Sequence, residues 1–130
     1  MGWNLLSDVS SRALASALQA SAARQRALAD NIANVDTPGF IRRDLRFEEA
    51  LGIAVETARR APQRASDAFS GVSLAPARDW SAPVRADGNS VDIDREMIAL
   101  AENTLRFQSA TEALAAKVRM MRSAIQGARR

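Results

Sequence analysis

The side chains with the widest chemical range in this sequence are carboxylates, and they lie in two short groups. Glu48 and Glu49 form the first group, and Asp92, Asp94 and Glu96 form the second. Paired carboxylates could do general acid–base work. Adjacent acids at the start of a helix, however, usually cap it and balance its dipole. We therefore assign both groups to helix starts rather than to catalysis.

The residue types that most often catalyse reactions or bind metals are missing. The sequence has no Cys, no His and no Tyr. This excludes disulfides and thiolate chemistry, and it removes the commonest general base and metal ligand. Lys117 lies in a predicted surface helix with no reason to form a Schiff base, and no glycine-rich phosphate loop occurs. The sequence predicts a protein that is not an enzyme and holds no cofactor or metal.

Charge and hydropathy exclude further classes. The net charge of +3 comes almost wholly from arginines, but no dense basic face with stacking aromatics is present, so no nucleic-acid partner is predicted. No apolar run is long enough to cross a bilayer. Residues 1–6 lack a cationic head followed by a hydrophobic block, so no cleavable signal is predicted. Residues 9–28 have the composition of a transit peptide, but a structural helix explains them better.

The longest regular pattern runs from Ile93 to Ile125. Apolar or near-apolar residues recur there at alternating steps of four and three, a repeat typical of a helix packed lengthwise on other helices. This C-terminal seam consists of Ile93, Met97, Leu100, Thr104, Phe107, Thr111, Leu114, Val118, Met121 and Ile125. Asp92 or Asp94 would cap the start, and Gly127 would follow the last seam residue. So long a stripe on so small a chain predicts neighbouring helices.

A second long helix is predicted near the N-terminus, from Ser7 or Asp8 to Val35 or Asp36. Its seam again steps by four and three, through Leu14, Leu18, Ser21, Gln25, Leu28, Ile32 and Val35. A parallel track of mostly small residues would permit close helix approach: Leu6, Val9, Ala13, Ala17 and Ala20. The polar seam residues Ser21 and Gln25 either fix the register of the helix pair or are tolerated because they contact water.

The N-terminal helix stops at a turn, Asp36-Thr37-Pro38-Gly39. Proline pushes Thr37 out of the helical region and presets its own φ, and Gly39 can take the positive φ of a type II turn. Asn31 and Asn34 lie in the final helical turn, where they could bond free carbonyls or neighbouring chains.

The middle of the chain is less regular. Residues 40–47 look extended, and the spacing of Phe47, Leu51, Val55 and Ala58 predicts a short amphipathic helix. Residues 60–90 are either an arm that orders on a partner, with Phe69 and Trp80 as anchors, or a flexible linker. The predicted fold is all-α: residues 1–36 and 91–127 pair as a coiled coil, and residues 37–90 form a turn, a short helix and an irregular, extended arm.

Two motifs carry a family resemblance. Residues 28–40, LADNIANVDTPGF, resemble the signature of bacterial flagellar rod and hook proteins, Asn-x-x-Asn-x-x-Thr-x-Gly-aromatic, with Phe40 where Tyr is commoner. Residues 43–47 are similar to an Arg-Asp-x-x-Phe of the B-type proximal rod branch. Residues 88–92, with Glu96-Met97 and residues 101–103, resemble the C-terminal helix of that branch. The C type is the alternative, because the first motif alone does not separate the branches.

The resemblance implies a structural subunit of the flagellar basal-body proximal rod that self-assembles into a hollow helical shaft. It would lie in the periplasm, between the MS-ring protein with the rod adaptor protein and the next rod protein, after leaving the cell unfolded through the type III export gate. The implied assembly interface is Leu14, Leu18, Leu28, Ile32, Val35, Ile93, Met97, Leu100, Phe107, Leu114, Val118, Met121 and Ile125. The implied turn motif is Asn31, Asn34, Thr37, Pro38, Gly39 and Phe40.

Two other classes fit parts of the sequence. A generic coiled-coil scaffold would share the seams without the turn motif. A basic amphipathic helix on an anionic membrane would use the cations of residues 117–130.

Overall fold

The computed structural model describes residues 8–128, which form four α-helices, one short 3-10 helix and a two-stranded antiparallel ribbon. In chain order the elements are α1 (Val9–Ala33), β1 (Arg43–Asp44), α2 (Glu48–Arg60), the 3-10 helix (Pro62–Arg64), α3 (Ala65–Ser70), β2 (Ala77–Arg78) and α4 (Ile93–Gly127). The mostly helical fold with two long terminal helices confirms the predicted class. No helix in this described part is long and apolar enough to cross a membrane.

Helix α4 begins at a true side-chain cap. Asp92 Oδ1 accepts hydrogen bonds from the backbone N–H groups of Asp94 at 3.0 Å and Arg95 at 3.4 Å. These two bonds satisfy donors that a helix start leaves free, and Asp94 and Glu96 place negative charge in the first turn. The prediction of Asp92 as a cap is confirmed. The helix ends at Gly127, as predicted, although the φ of this glycine is not positive and it does not form a left-handed cap.

Helix α1 runs antiparallel to α4. Contacts near the two ends and the middle of α1 fix the register: Asn31 with Glu96, Ser21 with Asn103, and Asp8 with Lys117. At 1.5 Å per residue, α1 is about 37 Å long and α4 about 52 Å long. The last ten residues of α4 therefore extend past Asp8. Residues 1–7, including the track residue Leu6 and the predicted helix start Ser7, and residues 129–130 lie outside the described residues.

One residue of the small-residue track of α1, Ala20, packs on the middle of the chain. Ala20 is fully buried in a core cluster with Leu45, Phe47, Ala54 and Val72. Its methyl group lets α2 and the following loop come close, and Phe47 fills the space between them. Leu51 and Phe69 are partly buried against the same cluster. The predicted short helix is confirmed as α2, which begins one residue after Phe47.

Residues 60–90 differ from both alternatives that the sequence left open. They contain α3 and β2, and Ala65, Val72 and Ala82 are buried against the chain itself. The elements here are only two to six residues long, so they leave no periodic pattern in the sequence. Of the two predicted anchors, Phe69 is partly buried in the core, whereas Trp80 is 70% exposed.

Candidate functional site: the turn junction and the exposed seam

The turn after α1 has the predicted geometry. Phe40 N–H donates to Thr37 O at 3.3 Å, and Gly39 has a φ of +73°. With proline at the second position and glycine at the third, this is a type II turn. Gly39 N–H also donates to Asp87 O at 2.9 Å, which ties the turn to the segment that leads into α4.

A second glycine lies directly against the turn. Gly88 has a φ of +79°, and a Cβ built on it would lie 3.3 Å from the Gly39 Cα. Two backbones therefore meet where neither has a side chain. This close approach and the positive φ both favour glycine at position 88, whereas at position 39 only the positive φ does, because a Cβ there meets no atom within 4 Å.

Asn89 closes the C-terminal end of α1. Its Nδ2 lies within hydrogen-bond distance of the carbonyls of Asn34 (2.9 Å), Val35 (3.2 Å) and Thr37 (2.7 Å). Its Oδ1 accepts from Val91 N–H at 2.6 Å, and the side chain is fully buried. One amide therefore satisfies carbonyls that the helix end would leave free. Asn89 also fixes the direction in which the chain enters α4.

The two asparagines of the turn motif have different tasks. Asn34 bonds locally: its Nδ2 donates to Asp30 O at 2.8 Å, and its Oδ1 accepts from the Thr37 hydroxyl at 3.1 Å. Asn31 bonds across the fold, donating to Glu96 Oε2 at 2.9 Å and to Arg43 O at 2.7 Å. Asn31 Oδ1 accepts from Arg43 N–H at 2.9 Å. Asn31 therefore joins α1, β1 and α4.

Beneath the turn lies a buried ion pair. Arg42 Nε donates to Glu96 Oε1 at 2.5 Å, and a second guanidinium nitrogen donates to Asp79 Oδ2 at 2.5 Å. Glu96 is 0% exposed and Arg42 is 7% exposed. Burial opposes the charged guanidinium, but Glu96 and then Asp44 and Asp79 more than offset it, so the pKa of Arg42 lies above its ordinary value. Hydrogen bonds from Ser81 and then Arg42 hold the pKa of Asp79 below its usual range.

The middle of the α1–α4 interface is polar. Asn103 Nδ2 donates to Ser21 O at 2.9 Å and to Gln25 Oε1 at 2.6 Å. Asn103 is 1% exposed, and within residues 8–128 its Oδ1 has no hydrogen-bond partner. Gln25, a polar interruption of the predicted seam, is thus bonded to the facing helix rather than only to water.

The predicted seams divide into a covered and an exposed part. In α1, Leu28 is buried, and Leu14, Leu18 and Ile32 are half-buried. The prediction that this helix reaches Val35 or Asp36 was wrong: α1 ends at Ala33, and the half-buried Val35 lies in the turn that follows. In α4, the covered positions are Leu100, Leu114 and Met121. The remaining large apolar residues of the C-terminal seam, which we call the exposed seam, are 40–62% exposed: Ile93, Met97, Phe107, Val118 and Ile125.

The helix face that meets α1 explains this division. It runs through Glu96, Asn103 and Lys117, rotated by about one residue from the predicted seam and sharing Leu100 and Leu114 with it. A groove of about 370 Å³ lies beside the exposed seam, lined by Ser21, Ala22, Gln25, Arg26, Thr104 and Phe107. The contact with α1 therefore leaves an apolar row and an adjoining groove open to solvent.

Sequence reasoning missed the residues of the junction. Arg42 was not singled out, Glu96 was assigned to the helix dipole, and Asn89 and Asn103 appeared only inside motifs. The partners of Glu96 lie 54 and 65 residues away in the chain, so no local period could reveal them. Glu96 also lies one position away from the predicted seam, so the apolar repeat gave no signal for it.

Comparisons with known proteins agree with the motifs. A family model described as "Flagella basal body rod protein" matches residues 12–40. The chain is 34% identical to the flagellar basal body rod protein FlgB of Escherichia coli, over 92% of this chain and 94% of that protein. It is 33% identical to FlgB of Salmonella typhimurium, over 92% and 95%, and 30% identical to FlgB of Bacillus subtilis, over 88% and 91%.

These relatives align across the central segment as well as both terminal helices, so the likeness is not limited to the turn motif. A generic coiled coil would not produce it. The chain therefore belongs to the flagellar basal-body rod protein family, and it is a structural protein of the flagellar rod.

Proposed function

We propose that this chain is a subunit of the proximal rod that assembles with copies of itself and with related rod proteins through its terminal helices. The single observation that supports this most strongly is the exposed seam. Burying a large apolar side chain contributes about 1.5–3 kcal/mol. Five exposed residues in one row on a 35-residue helix favour a further helical neighbour.

The same proposal gives the partners. One end of the rod would meet the MS-ring protein and the rod adaptor protein, and the other end would meet the next rod protein. The names of the relatives place those proteins in the flagellar basal body. We propose the periplasmic rod as the location and the flagellar type III export gate as the route.

The junction described above gives the assembly surface its rigidity. Asn31, Asn89 and the Arg42–Glu96 pair fix how α4 leaves the turn and therefore where the exposed seam points. The turn motif acts indirectly: Asn31, Asn34 and Gly39 use their hydrogen bonds to join parts of their own chain. In this proposal the motif positions the interface, and the seams form it.

The test is complementation of cells that lack their own proximal rod protein. Phe107→Asp places a charge in the exposed seam, whereas Gln108→Asp places the same charge on the next exposed residue. We expect the Phe107 variant to be exported and folded but to leave cells without motility, and the Gln108 variant to restore motility. Normal rods built from the Phe107 variant would show that the exposed seam is not an interface.

A further inference from the structure

The ribbon carries two arginines that face each other without compensation. Arg43 of β1 lies directly opposite Arg78 of β2, and both residues are exposed. Like charges at directly opposed positions destabilise an antiparallel pair. Neither guanidinium has an ion-pair partner within residues 8–128. The isolated chain thus has a local charge conflict that an acidic partner would relieve.

Apolar groups surround these arginines. The Arg78 guanidinium carbon lies 5.8 Å from the centre of the Trp80 ring, and Trp80 is 70% exposed. Leu74 is 43% exposed and lines, with Pro76 and Arg43, a groove of about 250 Å³ against α1, where Arg26 and Asp30 also line it. Exposed Trp and Arg are the residue types that dominate binding energy at protein interfaces. We call Arg43, Leu74, Arg78 and Trp80 the ribbon patch.

A surface of opposite character lies on α4. Ile98 and Leu105 are 61% and 65% exposed, and each follows an inward residue, Glu96 or Asn103, by two positions. Two residues are a rotation of about 200° on an α-helix, so this surface faces away from α1. Asp94 and Glu102 are exposed on the same side, and within the described residues their carboxylates have no ion-pair partner. We call Asp94, Ile98, Glu102 and Leu105 the acidic stripe.

We propose that the ribbon patch of one copy binds the acidic stripe of a second copy, an inference that rests on the proposed function. Cations meet carboxylates, and Trp80 and Leu74 meet Ile98 and Leu105. The two surfaces cannot meet within one chain, because strand pairing and the Arg42–Asp79 bond hold the patch to its own body while the stripe faces away from α1. Contact between two different surfaces repeats from copy to copy and builds a closed ring or an open helical array, and the proposed rod function requires the open array.

Cross-linking tests the contact directly, since the chain has no cysteine of its own. P76C labels the groove beside the patch, and A101C labels the helix face beside Glu102. With a short bis-maleimide, the doubly labelled chain should form a ladder of multimers, and a mixture of the two single variants should form dimers containing one of each. Absence of the ladder, or P76C–P76C dimers as the main product, would overturn the proposal.

Charge reversal then tests the chemistry. R78E on the P76C copy should lower the yield with A101C by about fivefold, because an attraction becomes a repulsion. E102R on the A101C copy should restore it, and added salt should reduce the original yield. R64E is the matched control, since Arg64 is an exposed arginine outside the patch. Equal loss with R64E and R78E, or no rescue by E102R, would contradict a paired contact.

Two outcomes distinguish this inference from the proposed function and from another occupant. If cross-links are absent but the chain restores motility in rod-deficient cells, the patch–stripe contact is wrong and the rod function stands. If the chain instead pellets with phosphatidylserine vesicles and R43E/R78E abolishes this, the patch binds an anionic surface, and the second copy is not its occupant.

Discussion

Removing the Glu96 carboxylate should destabilise the whole fold, although the sequence around Glu96 is acidic and resembles an exposed helix start. The side chain is completely buried and accepts hydrogen bonds from Arg42 and Asn31. Breaking one side of a buried ion pair costs about 3–5 kcal/mol, because the remaining charge stays buried and unpaired. Typical domains have only about 5–15 kcal/mol of stability. Glu96→Ala should therefore remove a large fraction of the free energy of unfolding.

The assay is urea unfolding followed by circular dichroism, with Asp94→Asn as the matched control two residues earlier on the exposed face. We expect the control to change the free energy of unfolding by less than about 0.5 kcal/mol. The double variant Glu96→Leu with Arg42→Leu should lose less than the sum of the two single losses, because each single change alone leaves a buried charge. A Glu96→Ala protein as stable as the Asp94→Asn control would refute the buried-pair reasoning.

Further predictions concern the turn, the helix end and the start of α1. Gly39→Val should lower the free energy of unfolding by about 2 kcal/mol. The cause is the positive φ alone, because a Cβ at this position meets no atom within 4 Å. A variant as stable as the wild type would contradict this. Asn89→Ala should lower the free energy of unfolding in urea by about 2–3 kcal/mol and speed the hydrogen exchange of the backbone amides in the last turn of α1. Unchanged hydrogen exchange would contradict the capping role. Bonds from Lys117 and Ser10 lower the pKa of Asp8 from 3.8 to about 2, so its small stabilisation is present above pH 3.8 and is lost as the pH falls towards 2. An NMR titration of Lys117→Met should return this pKa towards 3.8, and an unchanged value would exclude Lys117 as the cause.

How much could be predicted from sequence depends on the range of the interaction. The α4 start, the type II turn and α2 follow from residues within about a turn of one another, Asp92, Pro38 and Phe47 among them. The 3.5-residue repeat identified α4 as a helix with lengthwise neighbours. The repeat could not show which side of α4 would contact α1. The predicted seam and the observed contact face differ by a rotation of about one residue, and both contain Leu100 and Leu114.

The buried junction could not be predicted, because the bonds that tie it to α4 and to the end of α1 join residues more than fifty positions apart. Acids near a helix start look the same in a sequence whether they cap the helix or form an ion pair inside the fold. Asp92 does the first and Glu96 the second. The middle segment was misjudged for a related reason: Ala65, Val72 and Ala82 pack well but have no periodic spacing.

Two seam variants separate the roles of the covered and exposed positions. Leu114→Asp places a charge in the half-buried α1–α4 contact and should lower the stability of the monomer as well as its assembly. Phe107→Asp should affect assembly alone. Equal unfolding curves for the Leu114 variant and the wild type would show that the seam faces water at this position.

The central claim is that the exposed seam becomes covered only when subunits assemble. The most direct measurement is maleimide labelling of V118C, with Q108C as the control, in the free chain and in isolated rods. We predict rapid labelling of both cysteines in the free chain, and at least about tenfold slower labelling of V118C but not Q108C in rods. Equal labelling of V118C in the two states would contradict the account.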